Sequence, residues 1–487
     1  MIVPEELKNL SFVDLVKPNI ATLFGLGLSP SLGLCLTLAL IIWLFRRDIR
    51  EKPDVSNALW LPLLWLVIGC SRPVSEWLNI FGLPVSGAAS VEEGSPLDAW
   101  FCFALIIAGS CVLIKRQVRL SEIMSNNGWL IVFLLYCFIS IVWSDFPFVA
   151  FKRWLKILGH PIMALIVLTE PDPQEALIRL MKRCAYVVVP VSILWIKYFP
   201  ELGRGFSPWG GPDNHGIAPG KNALGADCMI LGYFFFWYLL RTWRTERNTL
   251  RRNELWLIAG FLISIWWLFS QADSATGLIS LIVGILVVVF VGSRRINKNF
   301  IGTYLLAALV LFTVAELTFG ISGRMSESLG RGSDFSDRKP LWTALLGLHT
   351  NPIVGTGFES FWLGDRLRQL EGLFYFVPNE AHNGYLETYL TLGIIGVFLL
   401  IGLFLATFRK IRLELFRNFE WGRYRLGFLV AVMVYNWTEA AFKTLSPLWF
   451  VFYLIATDYP RIYLAITQSS VAVAGSEESR ELVYEGL

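Results

Sequence analysis

Apolar runs of about 20 residues, the length that carries a helix across the hydrocarbon core of a bilayer, recur along almost the whole chain. They centre near Leu36, Leu64, Leu105, Phe133, Ala164, Val189, Gly232, Phe261, Val283, Ala308, Ile395, Val432 and Tyr453. Twelve to fourteen spans are therefore expected. The first two are the least regular, because an interfacial helix fits the residues before Gly25 and Pro62 and Pro73 interrupt the second run. Composition agrees: 55% of the residues are hydrophobic and 16% charged, against roughly 25% charged in a soluble domain. The expected fold class is an all-α polytopic membrane protein. The acidic start Met1-Ile2-Val3-Pro4-Glu5-Glu6 lacks the basic region of a cleavable signal, so the spans themselves are expected to direct insertion.

Short loops rich in Lys and Arg stay in the cytoplasm. Such clusters stand at Arg46, Arg47, Arg50 and Lys52, at Lys115, Arg116 and Arg119, and at Arg179, Lys182 and Arg183. Others follow from Arg241 to Arg252, at Arg294, Arg295 and Lys298, and from Arg409 to Arg425. Two loops fall on the opposite, outer side: residues 199–221, and the long polar, Gly-rich stretch from Thr318 to Ala381. The expected organisation is a helical region over 1–317, a large outer loop over 318–384, closing helices over 385–460 and an inner tail over 461–487, acidic and disordered from Val471. The net charge of +4 belongs to the inner loops and does not point to nucleic acid. The seven cysteines lie in or beside apolar runs and read as packing residues, with no disulfide framework. Trp143, Trp154, Trp237, Tyr238 and Trp243, near span ends, read as an interfacial belt.

The outer loops hold the residues fit for chemistry. A loop that long is uncommon unless it is functional. Arg204, flanked by Gly203 and Gly205, is placed to bind an anion with its two-pronged guanidinium. Lys221 stands where the next span begins, so its ammonium and the helix N-terminus both favour negative charge; a snorkelling role at the interface suits it equally. Arg153, Lys156 and His160 share a helix face, suited to a lipid phosphate or to headgroups generally, with His160 itself the better fit to packing. Ser336-Asp337-Arg338-Lys339-Pro340 reads as a helix start with Asp337 as cap. Leu341, Trp342, Leu345 and Leu348 then form an apolar face expected on the membrane surface. His382 sits where loop becomes helix, with Asn383 as cap and Glu387 one turn on, either orienting it or favouring the helix start. A helix N-terminus disfavours the imidazolium form, so His382 is expected to be neutral near pH 7 and able to accept a proton from a hydroxyl.

The ordered set Gly216 to Gly225, Asp337-Arg338 with Trp342, Asn351-Pro352-Ile353-Val354-Gly355-Thr356-Gly357-Phe358, and Ala381-His382-Asn383-Gly384-Tyr385-Leu386-Glu387 with Leu392-Gly393-Ile394-Ile395-Gly396 resembles the O-antigen ligase and polysaccharide polymerase superfamily. Within it, the chain looks most similar to exopolysaccharide production proteins of the O-antigen ligase type. The resemblance runs from about Arg204 to Phe408. It implies a glycosyltransferase-C-like, multi-pass protein of the bacterial inner membrane with a large periplasmic loop, moving a glycan from an undecaprenyl diphosphate carrier to an acceptor hydroxyl. The family's loop histidine falls on His382, its pre-helix arginine on Arg338 and its earlier periplasmic arginine on Arg204. Asp337 stands where many relatives have glycine, and Gly220 where a charged or imidazole side chain often precedes the Lys-Asn pair.

The chemistry suits these residues. Arginines replace a metal ion by holding phosphate oxygens bidentately, and a base takes the acceptor proton. His382 and Arg338 are the expected catalytic pair, with Arg204, Lys221 and Arg153 on the diphosphate and Glu387 and Asn383 behind them. No cofactor and no metal are expected, since no Asp-x-Asp or His-rich spacing occurs in the outer loops. The acceptor is open between a lipid A core sugar, a growing polysaccharide and a protein side chain. A transporter of lipid-linked sugars and a non-enzymatic component of an assembly complex are the rival readings. The first calls for ionisable residues deep in the spans or paired broken helices at mid-membrane, whereas Asp227, Asp273, Glu316, Glu387 and Glu439 are expected toward the outer ends.

Overall fold

All thirteen expected span centres lie on helices. The computed structural model describes residues 29–51, 53–83, 94–206, 212–246, 248–319, 334–374 and 378–459. The segment before Gly25 and the tail from Val471 lie outside them. Among the described residues five helices are long and apolar enough to cross a membrane: Pro96–Lys115, Lys221–Trp243, Thr249–Ala272, Ala275–Gly292 and Gly384–Arg417. Two bent pairs, Asn57–Gly69 with Val74–Ile80 and Leu120–Asn126 with Gly128–Trp143, bring the number to seven if each is one span. The first bend falls between Gly69 and Val74, where Pro73 was expected to interrupt the run. The helices around Ala164 and Tyr453 are ten residues each. At 1.5 Å per residue each is about 15 Å long, half a hydrocarbon core. The protein is an all-α, multi-pass membrane protein, with one small exception among the described residues: a hairpin pairing Arg204 with Asn214 and Phe206 with Pro212.

Lys221–Trp243 packs along Thr249–Ala272 and Ala275–Gly292, and Ala275–Gly292 along Phe419–Thr438. Tyr233, Phe234, Phe235 and Trp237 are fully buried there. Trp237, expected in an interfacial belt, instead donates its indole N–H to the Glu420 carbonyl at 3.0 Å. The seven cysteines are free thiols; five are buried, while Cys35 and Cys111 are exposed on the surface.

The basic cluster expected in a loop at Arg179, Lys182 and Arg183 lies inside the Pro173–Tyr198 helix and is buried. Arg179 and Arg183 both bind the buried Asp48, at 2.9 and 2.7 Å, and Lys182 binds Glu254 at 2.6 Å. Opposite charges at matching depth make this possible. Removing one partner of such a buried pair costs roughly 3–5 kcal/mol, because the other charge is left unpaired.

The joint that sets up the loop before Gly384 is a break in the Gly384–Arg417 helix. Gly393 has φ 64° and ψ −166°, so the helix ladder is interrupted there. The interruption strands the carbonyls of Leu390 and Thr391 and the N–H groups of Ile394 and Ile395, which would otherwise bond one another. The segment after Asn351 satisfies all of them. Thr356 and Gly357 donate to the Leu390 and Thr391 carbonyls at 3.1 and 2.9 Å, while Ile394 and Ile395 donate to Pro352 and Ile353 at 2.9 and 3.3 Å. A buried backbone group without a partner is expensive in lipid, so loop and helix require each other. Tyr136 and Trp143 clamp the joint through the Leu392 and Val354 carbonyls, at 3.0 and 3.1 Å.

A side chain at Gly393 would put its Cβ 2.2 Å from the Ile353 carbonyl oxygen, in a left-handed backbone besides. Gly393→Ala is therefore expected to lower stability by about 3 kcal/mol or more. Gly260→Ala, whose Cβ meets nothing within 4 Å, is expected to stabilise slightly, by roughly 0.5–1 kcal/mol. Thermal unfolding of the two purified variants in detergent checks both.

Candidate functional site

The loop helix spans Asp334–Gly347. It begins before the expected cap Asp337, so Pro340 lies inside it and Arg338 in its second turn rather than at its start. Its apolar face also turns inward. Leu341 and Leu345 are buried in a small core with Phe361, Leu370, Ala381 and Leu390, with Trp342 and Leu348 packed against it. Enough apolar surface exists within the loop to cover that face without the membrane. Trp342 donates its indole N–H to the Ala381 carbonyl at 2.8 Å, tying this helix to the residue before His382.

His382 adopts φ 47°, a left-handed backbone uncommon for a residue other than glycine. Its neighbours hold it there. The Ala381 N–H donates to Glu387 Oε2 at 2.9 Å, and Trp362 donates to the other oxygen of the same carboxylate. Asn383 caps the helix as expected, accepting from the Tyr385 and Leu386 N–H groups at 3.0 Å each. Gly384 donates to the Glu439 carbonyl at 3.0 Å. Glu387 thus acts on the backbone before His382, with no contact to the ring.

Glu439, at the end of the Phe419–Thr438 helix, joins the parts. One oxygen accepts from Arg338 at 3.0 Å and from the Asn222 amide at 2.9 Å; the other accepts from His382 Nδ1 at 3.0 Å. Arg338 also donates to the Thr438 carbonyl. A second carboxylate, Glu380, lies 3.0 Å from the same Nδ1 and 2.6 Å from Lys443 Nζ. Three cations and two carboxylates interlock where the loop, the start of Lys221–Trp243 and the start of Gly384–Arg417 meet.

This environment overturns the expected neutral imidazole. Burial pushes the His382 pKa down, but the hydrogen bonds and charges of Glu380 and Glu439 outweigh it and raise the pKa to about 9. Near pH 7 the ring is an imidazolium with Nδ1–H given to carboxylate. The helix N-terminus, which favours the neutral form, is outweighed by two anions in direct contact. Burial likewise pushes the Glu380 carboxyl up, and Lys443 and His382 hold it well below the usual range.

The remaining expected residues fall at different distances from this cluster. Lys221 opens its helix directly before Asn222. Arg153 donates to the Glu359 carbonyl, and the Glu359 carboxylate accepts from Thr444, the neighbour of Lys443. Arg204 stands exposed on the hairpin, its Nε bonded to the Ile196 carbonyl at 2.7 Å. His160 is fully buried, accepting from Trp65 Nε1 at 3.0 Å, which fits its expected packing role. Sequence reasoning missed Glu439, Glu380, Lys443 and Asn222 as site members. A signal existed for two of them: Glu439 and Lys443 are the charged residues of the short break between the last two apolar runs.

One carboxylate oxygen each from Glu380 and Glu439 and a ring nitrogen of His382 lie within 4.8 Å of one another, a spacing a cation could occupy. The donor set argues against it. The two oxygens that face the ring, Glu380 Oε1 and Glu439 Oε2, lie 3.0 Å from His382 Nδ1, while Lys443, Arg338 and Asn222 hold the other oxygen of each carboxylate. A divalent cation would have to take the place of the Nδ1 proton in a cluster whose carboxylates already face a lysine and an arginine.

A raised pKa means that the stabilisation from His382 is complete below its ordinary value near 6.5 and is lost as pH rises through about 9. Diethyl pyrocarbonate acylates only the neutral ring, so modification of the His382 peptide, followed by mass spectrometry, is expected to titrate with a midpoint near 9. In Glu439→Gln the midpoint is expected to move down toward the ordinary histidine value.

Comparison with known proteins adds one match. Residues 259–401 fit the family model described as O-antigen ligase. No curated protein matches the chain. The matched stretch holds Arg338, the glycine joint and His382, whereas Asn222, Glu439 and Lys443 lie beyond its ends. Sequence resemblance and family model therefore agree on one region of this membrane protein, residues 259–401, which is similar to the O-antigen ligase family.

Proposed function

We propose that the protein is a glycosyltransferase-C-like enzyme of the bacterial inner membrane, with its site on the periplasmic face. It transfers a glycan from an undecaprenyl diphosphate carrier to a saccharide hydroxyl, as a ligase onto a lipid A core or as an exopolysaccharide polymerase. The observation that carries this reading is the convergence of Arg338 and His382 on Glu439 within hydrogen-bond distance, at a helix start inside a membrane protein. Such a cluster binds a diphosphate without a metal ion, because fixed cations neutralise the leaving group as its charge develops.

In the reaction the acceptor oxygen bonds to the anomeric carbon as the bond from that carbon to the phosphate oxygen breaks, from opposite faces, inverting the configuration. Arg338 and the His382 imidazolium hold the departing diphosphate, with Lys221 beside them and Arg204 and Arg153 toward the rim. The acceptor proton passes to a carboxylate of the cluster, Glu439 or Glu380. A second reading, with His382 as the base, draws on the same contact: a carboxylate on Nδ1 orients a ring for proton transfer at Nε2. The two readings differ in the sign of one pH response. As a cation on the diphosphate, His382 loses function as pH rises through about 9; as a base it gains function over the same interval.

The test supplies purified protein with an undecaprenyl-diphosphate-linked oligosaccharide and candidate acceptors, and measures released undecaprenyl diphosphate and glycan product. Transfer is expected to persist in EDTA and to fall by roughly 10²–10³ in Arg338→Ala. His382→Asn keeps the left-handed backbone accessible and is expected to lose activity while remaining folded. The limb of the rate profile around pH 9 selects the role of His382. Folded wild-type protein that forms no product but moves the lipid across proteoliposome membranes would replace this reading with transport, and tolerance of both substitutions would replace it with a scaffold.

A further inference from the structure

The end of the Lys221–Trp243 helix remote from Asn222 opens on a second site. From Asn222 to Arg241 that helix runs nearly 30 Å at 1.5 Å per residue, so this site lies across the membrane from His382. A cavity of about 1780 Å³ lies there between Pro30–Arg50, Pro173–Tyr198, Lys221–Trp243 and Thr249–Ala272. Ordinary small-molecule pockets hold roughly 300–1,000 Å³, so the space suits a larger occupant.

Its two ends differ in chemistry. At the helix termini six arginines and three glutamates line it. The glutamates are already engaged: Glu51 and Glu175 by Arg179, and Glu254 by Lys182 and Arg47. Arg46, Arg50, Arg241 and Arg251 have no ion-pair partner among the described residues. Nη1 of Arg241 and Nε of Arg251 are buried and meet no hydrogen-bond acceptor among them. Both guanidinium groups are held against indole rings, of Trp237 at 5.8 Å and Trp243 at 5.5 Å. Fixed, unsatisfied guanidinium donors match phosphate oxygens in geometry and charge.

Toward mid-membrane the walls become apolar, with Leu40, Trp43, Val189, Ile193, Leu257 and Phe261. The lining continues along Thr249–Ala272 from Arg251 to Ser264, roughly 20 Å, which is the reach of an acyl chain. Gly260 forms a notch in this wall, open on the side where a Cβ would project.

We propose that this cavity binds an anionic phospholipid of the bilayer, its phosphate on Arg241 and Arg251 and an acyl chain in the groove beside Gly260. Charge complementarity selects an anion, and the apolar groove joined to the basic end selects a lipid over a soluble phosphate. The site is independent of the proposed transfer reaction, whose residues lie at the other end of the helices.

The test is native mass spectrometry of the full chain in mixed micelles with phosphatidylglycerol or phosphatidylcholine. Wild type is expected to retain the anionic lipid selectively. Arg241→Gln with Arg251→Gln is expected to weaken retention roughly thirtyfold, about fivefold per arginine. Gly260→Leu leaves every charge in place and fills the notch, and is expected to weaken retention as well. Should the double arginine variant fail to fold, Arg46→Gln with Arg50→Gln, both exposed, is expected to lower retention in the same direction. Equal retention of the two lipids, or no change in the folded variants, would overturn the proposal. Competition by glycerol 1-phosphate as effective as that by the lipid would replace it with a soluble-anion site.

Discussion

The backbone seam between residues 352–357 and the broken helix at Gly393 is the constraint on which the half of the molecule that holds His382 depends. A helix interrupted in an apolar surrounding must find partners for the groups it strands, and here the loop supplies one for each. The consequence reaches beyond the seam. Because the loop is fixed to the helix by its backbone, the helix start at Gly384 has a defined relation to the loop core of Leu345, Phe361 and Leu390. His382 is then positioned by rigid elements on both sides, with Trp342 holding the Ala381 carbonyl and Glu387 the Ala381 N–H.

Positioning alone does not set the chemistry of the cluster; Glu439 does. Its two oxygens gather an arginine from the loop helix, an amide from the start of Lys221–Trp243 and the imidazole. Its charge and hydrogen bond, with those of Glu380, keep His382 protonated. The site is therefore an interlocked set of opposite charges. A diphosphate entering it would compete with the carboxylates for the same cations, which gives the proposed enzyme a way to exchange internal ion pairs for substrate contacts instead of leaving cations bare between turnovers.

The opposite end of the helices shows the contrasting case. Asp48, Glu51, Glu175 and Glu254 absorb Arg179, Arg183, Lys182 and Arg47, yet Arg241 and Arg251 keep donors that no described residue satisfies. Balanced charge accounts for the packing of that region, and the surplus positive charge is what the lipid proposal draws on.

The sequence alone was enough for the membrane class, the helical position of every expected span centre, the Asn383 cap and the candidacy of Arg338 and His382. These follow from local causes: apolar length, a capping side chain at a loop-to-helix boundary, and polar residues in an otherwise apolar chain. Three readings failed for a common reason. The helix start at Asp337, the membrane-facing Leu341 and Leu345, and the neutral His382 each depended on what lies across from those residues in space. Only the tertiary structure decided that Glu439, more than fifty residues after His382, would place its carboxylate on the ring. It also decided that Gly393 would break its helix to receive the loop. An imidazole's protonation and a glycine's backbone are set by contacts distant in sequence, and local pattern carries no record of them.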